Sequence, residues 1–100
     1  MTNEFREKHG LPALRWNQAL HDLAMEHCQN MAAGTCPVGH DGFADRSERV
    51  PFFKRSFAEN VAYNYGHADA VYVAVEGWVN SPGHRKNMLA THNCCGIAVY

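Results

Sequence analysis

A histidine at the start of a helix is the first residue in this sequence whose type and position suggest chemistry. His84 stands in the stretch WVNSPGHRKNML, residues 78–89, directly after a Ser-Pro pair that is typical of a helix start. The positive end of a helix dipole disfavours the imidazolium form, so this position favours a neutral ring. A neutral imidazole can bind a metal or accept a proton, whereas the plain alternative is a histidine that faces solvent.

Two further residues have the chemistry to complete a site with His84. His40 lies in VGHDGF between glycines, which permit the tight backbone that would point a ring into a cleft, although a simple turn residue is the alternative. Glu59 lies in FAENVAY among apolar neighbours, where a carboxylate must be paired, hydrated or functional. Histidine N–H groups are its natural donors. We therefore predict that His40 and His84 approach each other, with Glu59 within hydrogen-bonding reach of one of them.

Other groupings of reactive side chains match known sites less well. A zinc knot would draw on Cys28, Cys36, His40 and His92, whose spacing lacks the C-x2-C pattern. A second group on one helix lacks the i, i+4 histidine pair of HExxH and is interpreted as solvated; it comprises His21, Glu26 and His27. Ser81 lacks a nucleophile elbow and is predicted to act as a helix N-cap instead.

These residues would be positioned by an alternation of helices and short strands. Apolar spacing and capping residues predict helices over residues 2–9, 18–33, 68–80 and 81–90, with Asn17 as the N-cap of the second. Alternating apolar and polar residues predict strands over 56–66 and 95–100. Residues 35–55 contain several glycines and prolines and show no period, which predicts a long irregular loop. This order is an α+β pattern with few strands.

Composition bounds the class of protein. One hundred residues, 46% hydrophobic and 19% charged, indicate a single globular domain over residues 1–100. The formal net charge of −1 argues against a nucleic-acid partner. Seven histidines would make the chain cationic between about pH 7 and pH 5. The sequence contains no apolar run of about 20 residues, so no transmembrane segment is predicted, and it shows no signal peptide.

The four cysteines leave the redox state open. Their number suits a secreted domain with one or two disulfides and equally suits four buried free thiols. If the chain is oxidised, we expect Cys28 or Cys36 to be bridged, because both flank the start of the irregular loop. Cys94 and Cys95 are adjacent and would point to opposite faces of a strand.

Five stretches, taken in order, resemble one protein family. They are the opening NEFREKHGLPALRWNQALHDLAMEHCQNMA, then GHDGF, AENVAYNYG, VEGWVNSPGHRKNML and CGIAVY. Together they span residues 3–100 and resemble the CAP domain, also called the SCP domain, of cysteine-rich secretory proteins, antigen 5 and pathogenesis-related 1. The form of the WVNSPGHRKNML stretch is similar to that of the compact branch common in bacteria, algae and plants.

The resemblance implies both a fold and a site. The fold is a three-layer α-β-α sandwich, with helices on both faces of a small antiparallel sheet. The site is a cleft with two histidines and two glutamates, in which His40 and His84 match the histidines and Glu59 matches one glutamate. Ser81 stands where the animal branch carries the other glutamate, so the tetrad is incomplete. The family's further strand after CGIAVY is absent from this sequence, so we expect a sheet with an unpaired edge, as in a truncated domain.

The resemblance also implies a secreted, extracellular binding module. Family members bind divalent metal, typically zinc, which assigns His40 and His84 as metal ligands, and some eukaryotic members bind sterols or other lipids. The first alternative is a metal-assisted hydrolase with Glu59 as general base. The second is a structural or host-interaction domain with a vestigial cleft. Binding is favoured over catalysis because two histidines fall short of the usual three catalytic zinc ligands and no nucleophile or oxyanion donor is evident.

Overall fold

Helices dominate the structure, a computed structural model that describes residues 1–100. The elements in chain order are α1 (Thr2–Lys8), β1 (Arg15–Trp16), α2 (Gln18–Ala32), α3 (Phe43–Glu48), α4 (Ala70–Val79), α5 (Pro82–Leu89) and β2 (Cys94–Cys95). Helix α5 packs against both α1 and α4. The α+β class is confirmed in its coarse form, helices with a small sheet, and the three-layer arrangement stays a prediction.

The four predicted helices form within one or two residues of their expected bounds because their caps act locally. The Asn17 side chain accepts a hydrogen bond from Leu20 N at 3.1 Å and so begins α2. Asp69 accepts one from Tyr72 N at 3.0 Å and begins α4. Gly34 follows α2 with φ of 76°, a left-handed conformation in which glycine ends a helix without strain.

Helix α3 lies inside the segment predicted to be an irregular loop, so that prediction is wrong for Phe43–Glu48. Six residues are too few to show a helical period. The helix instead begins at Gly42, whose φ of 82° suits only glycine, and a Cβ there would lie 3.0 Å from Arg46 Nη1. The helix therefore depends on a turn residue and on the tertiary contacts of Arg46.

The sheet is a single parallel ladder, not the expected antiparallel sheet. Arg15 pairs with Cys94 and Trp16 with Cys95. The backbone hydrogen bonds Arg15 N to Asn93 O, 2.9 Å, and Asn17 N to Cys95 O, 2.8 Å, extend it at both ends. The antiparallel expectation came from the family resemblance, and the two segments predicted to be strands, 56–66 and 95–100, do not pair with each other.

Both segments satisfy their backbone carbonyls with helix side chains, which explains why they do not pair. In the first, Asn87 Nδ2 donates to Glu59 O and Trp78 Nε1 donates to Val61 O. In the second, the ring of His21 on α2 lies 2.7 Å from Ile97 O. Predicted strands over 56–66 and 95–100 are therefore wrong except at Cys95, because contacts with helices replace contacts between strands.

Gly96 allows the C-terminal segment to approach α2 closely. A Cβ built on Gly96 would lie 2.1 Å from the backbone nitrogen of His21 and 2.4 Å from the carbonyl carbon of Leu20. Backbone atoms cannot move aside as a flexible side chain can, so only glycine fits here. This close contact places the chain after β2 against the first turn of α2.

Buried polar groups are as numerous as buried apolar ones. Val50, Val75 and Met88 are the buried apolar residues of the core. Arg6, only 1% exposed, donates to Met88 O at 2.9 Å and to Ala90 O at 2.8 Å. These carbonyls lie at the C-terminal end of α5, where a cation complements the helix dipole and the last carbonyls lack helical partners. Arg6 thus fixes α1 against the end of α5.

Candidate functional site

Glu59 is the centre of a polar network. Its carboxylate receives two hydrogen bonds from Arg46, Nε to Oε2 and Nη2 to Oε1, both 2.7 Å. His40 Nδ1 lies 2.9 Å from Oε1. An ionised carboxylate only accepts hydrogen bonds, so Nδ1 of His40 carries a hydrogen, and the neutral ring has its lone pair on Nε2. The structure therefore brings the two predicted residues Glu59 and His40 together.

The guanidinium of Arg46 is buried and fully engaged. The residue is 7% exposed, and Nη1 donates to Asp41 O at 2.6 Å and lies 3.2 Å from His27 Nδ1. The other ring nitrogen of His27, Nε2, lies 2.7 Å from Gly39 O and must donate to it. This fixes the tautomer with hydrogen on Nε2, so Nδ1 accepts from Arg46.

His27 is therefore not the solvated residue that its sequence context suggested. It is 5% exposed and forms part of the support beneath Glu59. The reasoning from sequence also missed Arg46, which stands in the charged stretch ADRSER and shows no pattern that marks it as buried. The available signal was the position of Glu59 among apolar neighbours, because a carboxylate that is withdrawn from water there requires a donor elsewhere in the chain.

The Glu59 carboxylate is held in its ionised form. Burial opposes ionisation, but the hydrogen bonds from Arg46 and His40 and the positive charge of Arg46 outweigh it, so the pKa of Glu59 lies below its ordinary value. A general base is most effective when its pKa lies near the working pH. Glu59 thus has the chemistry of a positioning anion.

His84 lies at the other part of the predicted site. Its Nδ1 is 2.9 Å from Ser81 Oγ. Ser81 occupies the N-cap position of α5, as predicted, yet its side chain makes no capping hydrogen bond. The expectation that capping occupies the Ser81 hydroxyl is wrong, because the hydroxyl contacts the imidazole three residues later. Ser81 thus supplies an oxygen that can orient the ring of His84.

The two histidines share one pattern of contacts. Each ring meets a side-chain oxygen at Nδ1, and neither ring uses Nε2 in a hydrogen bond. The backbone of Glu59 and Asn60 connects the two halves, because Asn60 Nδ2 donates to His84 O at 3.1 Å and Asn87 Nδ2 donates to Asn60 Oδ1 at 2.9 Å. Adjacent residues of one segment thus contact His40 and helix α5.

An open, mostly apolar groove of about 320 Å³ lies beside His84. It is bounded by the segment 61–64, by one face of α4 and by the start of α5, and its lining includes Val61, Tyr63, Val73, Trp78 and Ser81. A second cavity of about 240 Å³, lined mostly by polar residues, lies between α2 and α3. His40 lines neither of them, and its ring is about half exposed.

The fit of the site to a metal ion is partial. A metal-binding histidine commonly donates its second ring N–H to an oxygen acceptor, and both His40 and His84 have such a partner. However, no three His, Cys, Asp or Glu side chains are grouped so that they could hold a metal ion. Each ring is thus contacted by an oxygen at Nδ1, but the structure forms no site with three protein ligands.

All four cysteines carry free thiols, so the structure contains no disulfide at Cys28 or Cys36. Cys28 Sγ instead lies 3.8 Å from Ala98 O, which places it against the C-terminal segment. Burial, together with the nearby charge of Glu59, raises the pKa of the Cys28 thiol. Burial, together with the charge of the neighbouring Cys94, also raises the pKa of the Cys95 thiol. These shifts favour the thiol over the more reactive thiolate.

Comparison with known proteins agrees with this fold. The family model for the cysteine-rich secretory protein family, CAP, matches residues 1–100, and the chain belongs to that family. A crystal structure at 1.5 Å resolution of an extracellular protein containing a SCP domain, from Bacillus anthracis str. Ames, superposes with a TM-score of 0.82 at 36% identity. That match covers 99% of this chain and 34% of the other.

A curated relative is similar in sequence. The chain is 38% identical over 93 residues to the uncharacterized membrane protein YlbC of Bacillus subtilis (strain 168), a match that covers 89% of this chain and 26% of the relative. The chain therefore spans about a third of the length of one relative and about a quarter of the other. None of the five helices is long and apolar enough to cross a membrane.

Proposed function

We propose that this chain is a binding module whose ligands contact the free Nε2 atoms of His40 and His84, with a divalent metal such as zinc as the first ligand to test. The observation that supports this proposal is the matched support of the two rings. Glu59 lies 2.9 Å from Nδ1 of one ring, and Ser81 lies 2.9 Å from Nδ1 of the other. Oxygen partners at Nδ1 leave Nε2 as the ligand atom in metal-binding histidines.

The number of protein ligands determines how tightly the metal is expected to bind. Two imidazoles without a third protein ligand leave the remaining coordination positions to water or to atoms of a second ligand. We therefore expect binding that is weaker than at a structural zinc site and that exchanges readily. A bound ion would act as a Lewis acid toward that second ligand, while Arg46 and Glu59 would hold the His40 ring in place.

The state of Glu59 favours binding over hydrolysis. Both carboxylate oxygens accept hydrogen bonds from Arg46, and the lowered pKa leaves Glu59 a weak base. A hydrolase built on Glu59 as general base would have to break this buried ion pair to take up a proton. The alternative of a vestigial cleft would leave the free Nε2 atoms without any ligand.

A lipid or other small apolar molecule is the second candidate ligand. The open groove of about 320 Å³ beside His84 has a mostly apolar lining, which would contact the apolar part of such a ligand. His84 and Ser81 would supply the polar contacts at one end. We further propose an extracellular location, which is supported by the description of the Bacillus anthracis SCP-domain protein as extracellular.

Calorimetric zinc titration tests the proposal. The wild-type chain should bind zinc near neutral pH, and the affinity should fall below about pH 6 as the imidazoles take up protons. The double variant H40A/H84A should lose the binding while keeping the fold. His67→Ala is the matched control, because His67 is exposed and its ring forms no hydrogen bond. An unchanged affinity in H40A/H84A would mean that the metal sits elsewhere.

A further inference from the structure

A short loop, residues 52–55, carries apolar side chains into solvent. Phe53 is 88% exposed and Phe52 is 38% exposed. The two are consecutive, so they form one small apolar tip. A phenylalanine side chain gains about 1.5–3 kcal/mol when it is fully buried, and nothing in this chain buries Phe53.

The loop is held firmly at both of its ends. Val50 is buried before it, and the ring of Phe57 after it packs on Phe43 with centroids 5.3 Å apart. Ser56 Oγ lies 3.2 Å from His92 Nδ1. Packed residues therefore support the exposed tip from both sides, and its exposure is a feature of the folded chain.

Positive charge follows the apolar tip directly. Lys54 and Arg55 form no ion pair and no side-chain hydrogen bond, whereas Arg46 and Arg49 each pair with carboxylates. The nearest acidic residue after the loop in sequence, Glu59, is already engaged by Arg46. The tip thus carries two uncompensated cations in a chain whose net charge is −1.

We infer that the loop of residues 52–55 docks on the surface of an anionic lipid bilayer. Phe52 and Phe53 would enter the boundary between headgroups and acyl chains, while Lys54 and Arg55 would contact the anionic headgroups. A bilayer fits better than a protein partner because two side chains offer far less apolar area than a specific protein interface requires. This inference is independent of the histidine site.

Vesicle co-sedimentation tests the inference. The wild-type chain should bind vesicles of phosphatidylcholine mixed with phosphatidylglycerol, bind vesicles of phosphatidylcholine alone much more weakly, and dissociate as salt is raised. Phe53→Ser should weaken the binding by about tenfold or more. The double variant K54Q/R55Q should weaken it by about fivefold for each charge removed and abolish most of the salt dependence.

Two matched variants separate this docking from general stickiness. K8Q/K86Q changes the net charge by the same amount at two exposed lysines elsewhere and should leave binding unchanged. Tyr65→Ser removes an aromatic side chain that is as exposed as Phe53 but has no adjacent cation, and it should have little effect. Equal binding to both vesicle types, or equal losses in a control and in its matched loop variant, would overturn the inference.

Discussion

The hydroxyl of Ser81 lies 2.9 Å from Nδ1 of His84. The contact resembles that between Glu59 and His40, with a neutral oxygen in place of a charged one. The hydroxyl oxygen can accept a hydrogen bond from Nδ1–H, so it can orient the imidazole without adding negative charge and leave Nε2 free. The two halves of the site are therefore alike in geometry and different in charge.

Ser81→Ala should weaken zinc binding by about tenfold to a hundredfold, because loss of a partner at Nδ1 leaves the ligating ring free to turn. Ser81→Glu should restore or strengthen binding, since a carboxylate raises the basicity of the ring. Calorimetry at fixed pH measures both variants. The same affinity in all three proteins would show that the Ser81 contact has no part in ligand binding.

Glu59→Gln should lower the free energy of unfolding by about 3 kcal/mol, because Arg46 would remain buried without an anion. Glu26→Gln is the matched control: it removes a similar two-bond pair, Glu26 with Arg49, at a site where both side chains are about half exposed. That change should cost less than about 1 kcal/mol. Urea denaturation at pH 7 compares the two variants. Equal losses of unfolding free energy would contradict the assignment of Glu59 and Arg46 as a buried ion pair.

The lowered pKa of Glu59 predicts that the folded protein loses stability in acid. The folded pKa of Glu59 lies below its ordinary value of 4.5, so the stabilisation is fully present above about pH 4.5 and is lost as the pH falls through the folded pKa. Stability measured between pH 6 and pH 3 should therefore decline at the acid end in the wild type. The decline should be shallower in Glu59→Gln, and parallel curves for the two proteins would argue against this origin.

Arg6→Lys should destabilise the chain by about 2–4 kcal/mol despite keeping the charge. The guanidinium reaches several carbonyls from fixed positions, including Met88 O and Ala90 O, and a compact ammonium cannot contact all of them. Arg15→Lys is the control, because the Arg15 side chain is exposed and forms no hydrogen bond; it should change stability by less than about 0.5 kcal/mol. Thermal unfolding measures both.

Gly96→Ala should be strongly destabilising, since its Cβ would overlap the backbone of Leu20 and His21. Gly77→Ala, in the interior of α4 where an added Cβ meets nothing within 4 Å, should instead stabilise the chain by about 0.5–1 kcal/mol. The midpoints of chemical denaturation of the two variants should shift in opposite directions from that of the wild type. A tolerated alanine at position 96 would mean that the C-terminal segment does not lie against α2.

The extent of successful prediction differs between local and tertiary features. Helix bounds follow from Asn17, Asp69 and Gly34, whose effects act within one turn of the chain. The contact between Glu59 and His40 was foreseeable because a carboxylate among apolar neighbours needs a donor. Whether His40 and His84 share one ligand stays a prediction.

The features that sequence did not predict depend on distant partners. Arg46 and His27 look like surface residues in sequence, and they are buried only because α2, α3 and Glu59 meet. The alternation over residues 56–66 indicated a strand. The same period of two fits an extended segment whose carbonyls accept hydrogen bonds from helix side chains, which is what the structure contains. Periodicity reports an extended backbone and cannot identify its hydrogen-bonding partner.

The contacts of Arg6 also bear on the order in which the molecule assembles. Its hydrogen bonds to Met88, Ala90 and His92 join residues separated by 82, 84 and 86 positions. Such distant contacts close the longest loops in the chain and slow folding relative to local ones. During synthesis on the ribosome, α1 could dock against the end of α5 only after almost the whole domain has been made. A nascent chain that ends before Met88 should therefore hold the N-terminal helix loosely, exposed to proteases and chaperones.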